Sequence, residues 1–136
     1  MIALHLALLI AITTAIHGLV TGVLVLVGAR VRHRLQTHSG TYLRFAFVPL
    51  SVLVLLFVAL VEASLWAWYY VATDHLRTFD EGLYFSLITM TTLGYGDVTL
   101  MGGGRLVSGM QAALGIVLFG WTSALIFNAV QMIHKK

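Results

Sequence analysis

The composition of the chain is that of a membrane protein rather than a soluble domain. Of its 136 residues, 60% are hydrophobic and only 10% are charged, and the mean hydropathy is +0.95. Soluble domains carry about 25% charged residues. The sequence has no cysteine, which excludes disulfides and thiolate metal sites. A formal net charge of +3 could indicate binding to nucleic acid. The placement of the basic residues along the chain favours a membrane topology signal instead, so no nucleic-acid partner is expected.

The first apolar run, residues 1–28, contains no Asp, Glu, Lys or Arg. It is long enough to cross a bilayer, and we predict an additional N-terminal transmembrane helix. A cleaved signal peptide is the alternative, but a basic start and a small-residue cleavage site are both missing. Polar and small residues recur at helical spacing and predict a face that packs on another helix: Thr13, Thr14, His17, Gly18, Thr21 and Gly22. We expect a hydrogen bond from His17 to a neighbouring helix, although an ionisable residue at this depth is also a candidate functional group.

A basic segment follows at residues 29–44, with four arginines, two histidines and no acid. The positive-inside rule predicts that it is a cytoplasmic linker. Anionic lipid headgroups are a candidate partner of these charges, and a topology signal alone is the alternative.

The second apolar run, residues 45–72, returns across the membrane as an outer helix. Its far end is rich in aromatic residues, as an interfacial belt is. Glu62 lies inside this run, and a carboxylate at membrane depth needs a partner or a proton. We expect Glu62 to brace either the first helix or the short helix that follows.

Residues 80–91 are too few to span a bilayer, so we predict a re-entrant pore helix. Asp80 and Glu81 stand at its beginning, where acids favour the helix dipole. The opposite end carries negative partial charge, which favours a nearby cation.

The string Thr-Thr-Leu-Gly-Tyr-Gly-Asp at residues 91–97 lies between two apolar runs. Non-helical backbone survives at membrane depth only when it is buried in protein or lines a watery path. Gly94 and Gly96 permit a positive φ angle. Alternating with Leu93 and Tyr95, they can bring successive carbonyl oxygens into one line. A ring of such lines from several chains can replace the water shell of a cation.

Residues 92–96 resemble the selectivity filter of the potassium-channel pore family, with Leu93 where that family commonly has Val. The similarity extends from about residue 45 to residue 132 through Gly104-Arg105, Gly115-Ile116 and Phe119-Gly120. It implies an all-α membrane protein with three transmembrane helices, a re-entrant pore helix and a filter loop per subunit. It also implies a homotetramer that conducts potassium passively, with K+ as permeant ion and no cofactor. The pore domain would be residues 45–136, with its inner helix at residues 105–133.

The resemblance assigns roles residue by residue. Potassium would bind the filter at Thr92, Leu93, Gly94, Tyr95 and Gly96, the first four as metal ligands. Filter support would come from Thr91, Tyr84, Asp97 and Glu62, with a hydrogen bond from the Tyr84 hydroxyl to the Asp97 carboxylate. Where some relatives have a supporting glutamate this chain has Ile88, so Glu62 is a candidate substitute. The cavity and gate would comprise the hinge Gly115 and the stripe Ile116, Phe119, Ser123 and Phe127, for which ordinary helix packing is the alternative.

Charge placement predicts the orientation. Basic residues gather at residues 29–44 and at the C-terminus, and acids gather around the filter, so the N-terminus should lie outside and the C-terminus in the cytoplasm. We expect an integral protein of a bacterial plasma membrane. Catalysis is not expected, because no paired carboxylates, nucleophile–base pair or phosphate loop appears. The alternatives to a potassium channel are a weakly selective cation channel and a non-conducting regulatory subunit.

Overall fold

The fold is all-α in a computed structural model that describes residues 2–37 and 41–134, with side chains at residues 3–33 and 46–131. Its helices are α1 (Ile2–Thr37), α2 (Thr41–Ala72), α3 (Phe79–Met90) and α4 (Gly103–His134). Three of them are long and apolar enough to cross a membrane, over Ala3–His33, Ala46–Ala72 and Gly103–Gln131. The predicted fold class, three spanning helices and one short helix, is therefore confirmed within the described residues.

Two helices extend into the segment that was expected to be a linker. α1 continues to Thr37 instead of ending at residue 28, and α2 begins at Thr41 rather than at residue 45. Residues 29–37 contain neither Gly nor Pro and include Ala, Arg, Leu and Gln, which favour helix. Residues 38–40 of the linker, and Lys135 and Lys136 of the basic C-terminus, lie outside the described residues.

Helix α3 lies between α2 and α4, and in the described part of the chain it does not touch α1. Thr78 caps its N-terminus by accepting a 3.2 Å hydrogen bond from the Glu81 amide, and the Glu81 carboxylate accepts from the Arg77 amide at 3.1 Å. This arrangement satisfies amides that a helix start leaves unpaired. The helix runs from residue 79 to 90, one position before the predicted 80–91, because Thr78 supplies the cap.

The buried core joins all four helices. Its main cluster contains Trp66 and Tyr70 of α2, Phe85 of α3 and Val107 of α4, together with Leu9 of α1. Two glycines allow close backbone contact around α3. A Cβ on Gly82 would lie 3.1 Å from the Ala67 carbonyl oxygen, and one on Gly115 would overlap the Met90 carbonyl oxygen. The C-terminal end of α3 is therefore pressed against the middle of α4.

Candidate functional site

The segment that follows α3 has an alternating backbone conformation. Gly94 has a φ of 46° and Gly96 a φ of 81°, which confirms that the two glycines adopt the positive φ expected from the sequence. Thr92 also has a positive φ, 59°. Left-handed residues thus alternate with Leu93 and Tyr95, as the carbonyl-line hypothesis requires.

The conformation of Thr92 was not predictable from its residue type. A β-branched residue at positive φ is an outlier, and holding one there costs about 1–3 kcal/mol. The position is the one after a helix C-cap, where glycine usually provides the left-handed turn. The sequence signal was the abrupt end of α3 beside a glycine-rich string, which marks the turn without showing which residue makes it.

Hydrogen bonds attach residues 92–96, called here the filter segment after the role predicted for them, to the end of α3. The Thr92 amide donates to the Thr89 carbonyl and the Gly94 amide donates to the Ile88 carbonyl, each at 3.0 Å. The Thr91 hydroxyl donates to the Leu87 carbonyl at 2.7 Å. Since a helix leaves its last carbonyls without intrahelical partners, these bonds complete α3. The helix end and the first half of the segment therefore form one unit.

A second attachment lies at the far end of the segment. The Tyr84 hydroxyl donates a 2.6 Å hydrogen bond to Oδ2 of Asp97, which confirms the predicted bond. This hydrogen bond holds the pKa of the Asp97 carboxyl below its ordinary value and raises the pKa of the Tyr84 phenol. Asp97 is therefore kept ionised directly after the filter segment.

Glu62 belongs to a different site. Its Oε1 lies 3.0 Å from Nδ1 of His17, so it braces α1, which was one of the two arrangements expected. His17 is accordingly bonded to a neighbouring helix, as predicted. Among the described residues, no hydrogen bond from Glu62 reaches α3 or the filter segment. At Ile88, the bond to the filter segment comes instead from the backbone, because the Ile88 carbonyl accepts a hydrogen bond from the Gly94 amide.

The predicted cavity stripe on α4 is left uncovered by its own chain. Ile116 is 62% exposed and Phe127 is 63% exposed, and Phe119 and Ser123 are also exposed. The buried residues of α4, such as Val107, Leu118 and Leu125, occupy another face. Packing within the chain therefore does not account for the stripe. Gly115 is buried against α3, and α4 continues through it without interruption.

The fold and the filter segment together define an integral membrane protein with the architecture of an ion channel subunit. A family model described as "Ion channel" matches residues 42–132, which is most of the chain. The chain belongs to this ion channel family, of the two-transmembrane type. The matched residues extend from the start of α2 almost to the end of α4 and leave α1 outside. No curated protein and no solved structure matches the chain.

Proposed function

We propose that the protein is a potassium-selective channel in which four identical chains surround one conduction path. The observation that carries the proposal is the alternation of positive φ at Thr92, Gly94 and Gly96. This alternation supports a line of backbone carbonyls that replaces the hydration shell of K+. In the proposal the first four residues of the filter, residues 92–95, bind the ion, and Gly96 ends the line.

Features of the single chain support assembly into an oligomer. One chain supplies one carbonyl line, whereas a cage around a cation needs several, and identical chains usually assemble with cyclic symmetry. Leu93 and Tyr95 are 55% and 67% exposed in the single chain. An open groove of about 630 Å³ runs beside the filter between Thr92, Leu100 and Ala112. In the tetramer we place a neighbouring subunit in this groove.

The remaining site residues take the roles that the resemblance suggested. Thr91, Tyr84 and Asp97 support the filter, whereas the contacts of Glu62 favour a role at α1. Ile116, Phe119, Ser123 and Phe127 line the inner cavity, and Gly115 adjoins the filter unit through Met90. The N-terminus faces outward and the basic C-terminus faces the cytoplasm of a bacterial cell, where anionic lipid meets the arginines of residues 29–44. Conduction is passive, so the protein is not an enzyme and needs no cofactor.

The test is ion flux through liposomes that contain only this chain. A potassium channel gives a reversal potential that follows the K+ gradient in mixed K+ and Na+. A reversal potential midway between the equilibrium potentials of K+ and Na+ would indicate the weakly selective alternative. Absence of flux from assembled protein would indicate a non-conducting subunit.

Substitution of Gly94 or Gly96 by Ala tests the filter directly. Within one chain a Cβ at either position meets no atom within 4 Å, and the positive φ by itself disfavours the change by about 1–2 kcal/mol per residue. We expect the K+ preference to be lost. Gly22→Ala is the matched control, because Gly22 is helical and also has no atom within 4 Å of an added Cβ. Permeability ratios equal to wild type in both filter variants would refute the assignment.

A further inference from the structure

Three helices meet at a buried chain of polar side chains in the membrane interior. Nδ1 of His17 on α1 lies 3.0 Å from Oε1 of Glu62 on α2. Nε2 of the same ring lies 3.2 Å from Oγ1 of Thr122 on α4. His17 is 4% exposed and Glu62 is 1% exposed. The additional helix is therefore connected to the outer and inner helices through one imidazole ring.

Among the side chains that the structure describes, the groups around His17, Glu62 and Thr122 bear no further charge. The Trp121 ring of α4 packs edge-on against the His17 ring at 5.5 Å. The Thr21 hydroxyl donates to backbone carbonyls of α1 at His17 and Gly18. On α2, Glu62 is the only Asp, Glu, Lys or Arg between residues 46 and 72. The other charged residues of α1, α3 and α4 whose side chains are described lie toward helix ends: Arg30, Arg32, Asp80, Glu81 and Arg105. The other titratable groups on the packed faces, His5 and Tyr70, contact Tyr69 and Gln111 instead.

The number of protons on the pair determines the direction of the bond to Thr122. An uncompensated charge at this depth is costly. The pair of His17 and Glu62 is neutral as a whole when one proton is shared between the Glu62 carboxylate and Nδ1 of His17. That proton lies on Glu62, which then donates to Nδ1, or on His17, which then donates to the carboxylate. In both cases Nε2 carries hydrogen and donates to the Thr122 oxygen. When the pair loses one proton, Nδ1–H donates to the carboxylate and the bare Nε2 accepts from the Thr122 hydroxyl.

We propose that His17 and Glu62 form a proton-binding site within the membrane and that Thr122 transmits its occupancy to α4. With the proton bound, the Thr122 hydroxyl hydrogen is free to bond a carbonyl of its own helix. Such back-bonding by Ser or Thr bends helices, and Ser123 already bonds the Phe119 carbonyl at 2.8 Å. With the proton released, Thr122 donates to His17 and is withdrawn from its own helix. The inference rests on the packing of α1, α2 and α4 and is independent of potassium selectivity.

The proton site is tested by infrared spectroscopy of the full chain in liposomes between about pH 5 and pH 9, a range in which buried carboxyl groups titrate. A carbonyl band of protonated Glu62 should grow as the pH falls and should be absent from Glu62→Gln. Glu62→Asp should shift the frequency of the band without removing it. This variant replaces Glu62→Gln in the test if the Gln variant does not assemble. A pH-dependent band that is identical in wild type and both variants, or a wild type with neither a pH-dependent carboxyl band of Glu62 nor a pH-dependent imidazolium band of His17, would overturn the site.

The coupling to α4 is tested with a nitroxide attached at Ala124→Cys, which is the only thiol because the sequence has no cysteine. Ala124 is exposed on α4, and the line shape of the label should change over the same pH range as the carboxyl band. Thr122→Ser should keep this response, because it keeps the hydroxyl. Thr122→Val should keep the carboxyl titration but lose the response of the label. An equal response in the Val and Ser variants would overturn transmission through Thr122. Both readouts remain interpretable if the protein conducts no potassium.

Discussion

Helices α3 and α1 are attached to the same pair of helices, α2 and α4, in different ways. The attachment of α3 relies on close backbone contact, at Gly82 against Ala67 and at Gly115 against Met90. The attachment of α1 relies on buried side-chain hydrogen bonds. Besides the bond between His17 and Glu62, the Trp66 indole donates to the Thr13 hydroxyl at 3.0 Å.

Both kinds of attachment, close backbone contact and side-chain hydrogen bonds, follow from the lipid that surrounds the helices. In lipid there is little hydrophobic driving force between helices, so small residues that permit close approach and polar residues that bond across helices provide the association. Close backbone contact fixes the end of α3, which carries the filter segment, with little freedom. The side-chain bonds that hold α1 include the titratable groups His17 and Glu62. The two helices are thus held by different kinds of contact.

The strongest way to break the attachment of α3 is Gly115→Ala. The added methyl group overlaps the Met90 carbonyl oxygen, so the backbone of α3 or α4 has to shift. Overpacking of this kind costs about 1–3 kcal/mol, which exceeds the gain of up to about 1 kcal/mol from replacing a helical Gly by Ala. We expect a lower thermal unfolding midpoint in detergent and an altered K+ preference in liposomes.

Gly120→Ala is the matched control for that variant. It lies on the same helix, and a Cβ there meets no atom within 4 Å, so we expect an unchanged or higher unfolding midpoint. Equal midpoints in the two variants would show that contact with Met90 does not constrain Gly115 and would favour a role as hinge alone.

The attachment of α1 is weakened by Thr13→Val, which should have an intermediate effect. The substitution keeps the shape of the side chain but leaves the fully buried Trp66 N–H without its acceptor. The expected loss is about 1–2 kcal/mol in the free energy of unfolding, measured by denaturation in mixed micelles. Thr14→Val is the control, since Thr14 is half-buried and its hydroxyl makes no hydrogen bond among the described residues. If both variants lost equal stability, the Trp66 bond would not be what holds α1.

The smallest effect is expected at the C-terminal end of the filter segment, from Tyr84→Phe. Because the Tyr84 bond lowers the pKa of Asp97, its stabilising effect is complete above the ordinary pKa of Asp, about 3.9. It is lost as the pH falls through the lowered value in the folded protein. Wild type should therefore be slightly more stable than Tyr84→Phe at neutral pH, and the difference should vanish in strong acid.

Tyr69→Phe is the control for that pH dependence, because the Tyr69 hydroxyl has no hydrogen bond in the described part of the chain. The measurement is the unfolding midpoint of each variant over a series of acidic pH values. A difference between wild type and Tyr84→Phe that stays constant down to strong acid would contradict a bond to ionised Asp97.

Local patterns predicted the features that depend on local geometry. The apolar runs gave the spanning helices, and the string at residues 91–97 gave the positive φ of both glycines. The bond between Tyr84 and Asp97 was implied by the resemblance to the potassium-channel pore family. The lengths of α1 and α2 were underestimated, because basic residues mark the membrane boundary and do not end a helix. The partner of Glu62 was left open between two helices. His17 lies 45 positions before Glu62 and 105 positions before Thr122. Contact among the three residues therefore depends on how three helices are rotated about their axes, which no local pattern specifies.

The edge-on contact of Trp121 with His17 gives the molecule a built-in optical reporter. We expect protonation of the imidazole to change the emission of the adjacent indole, so that the fluorescence of Trp121 reports the charge on His17. The sequence has only two other tryptophans, Trp66 and Trp68, both on α2. Replacing only Trp68 by Phe keeps the bond from Trp66 to Thr13, and the pH-dependent part of the remaining emission distinguishes a proton that resides on the imidazole from one that resides on the carboxyl group.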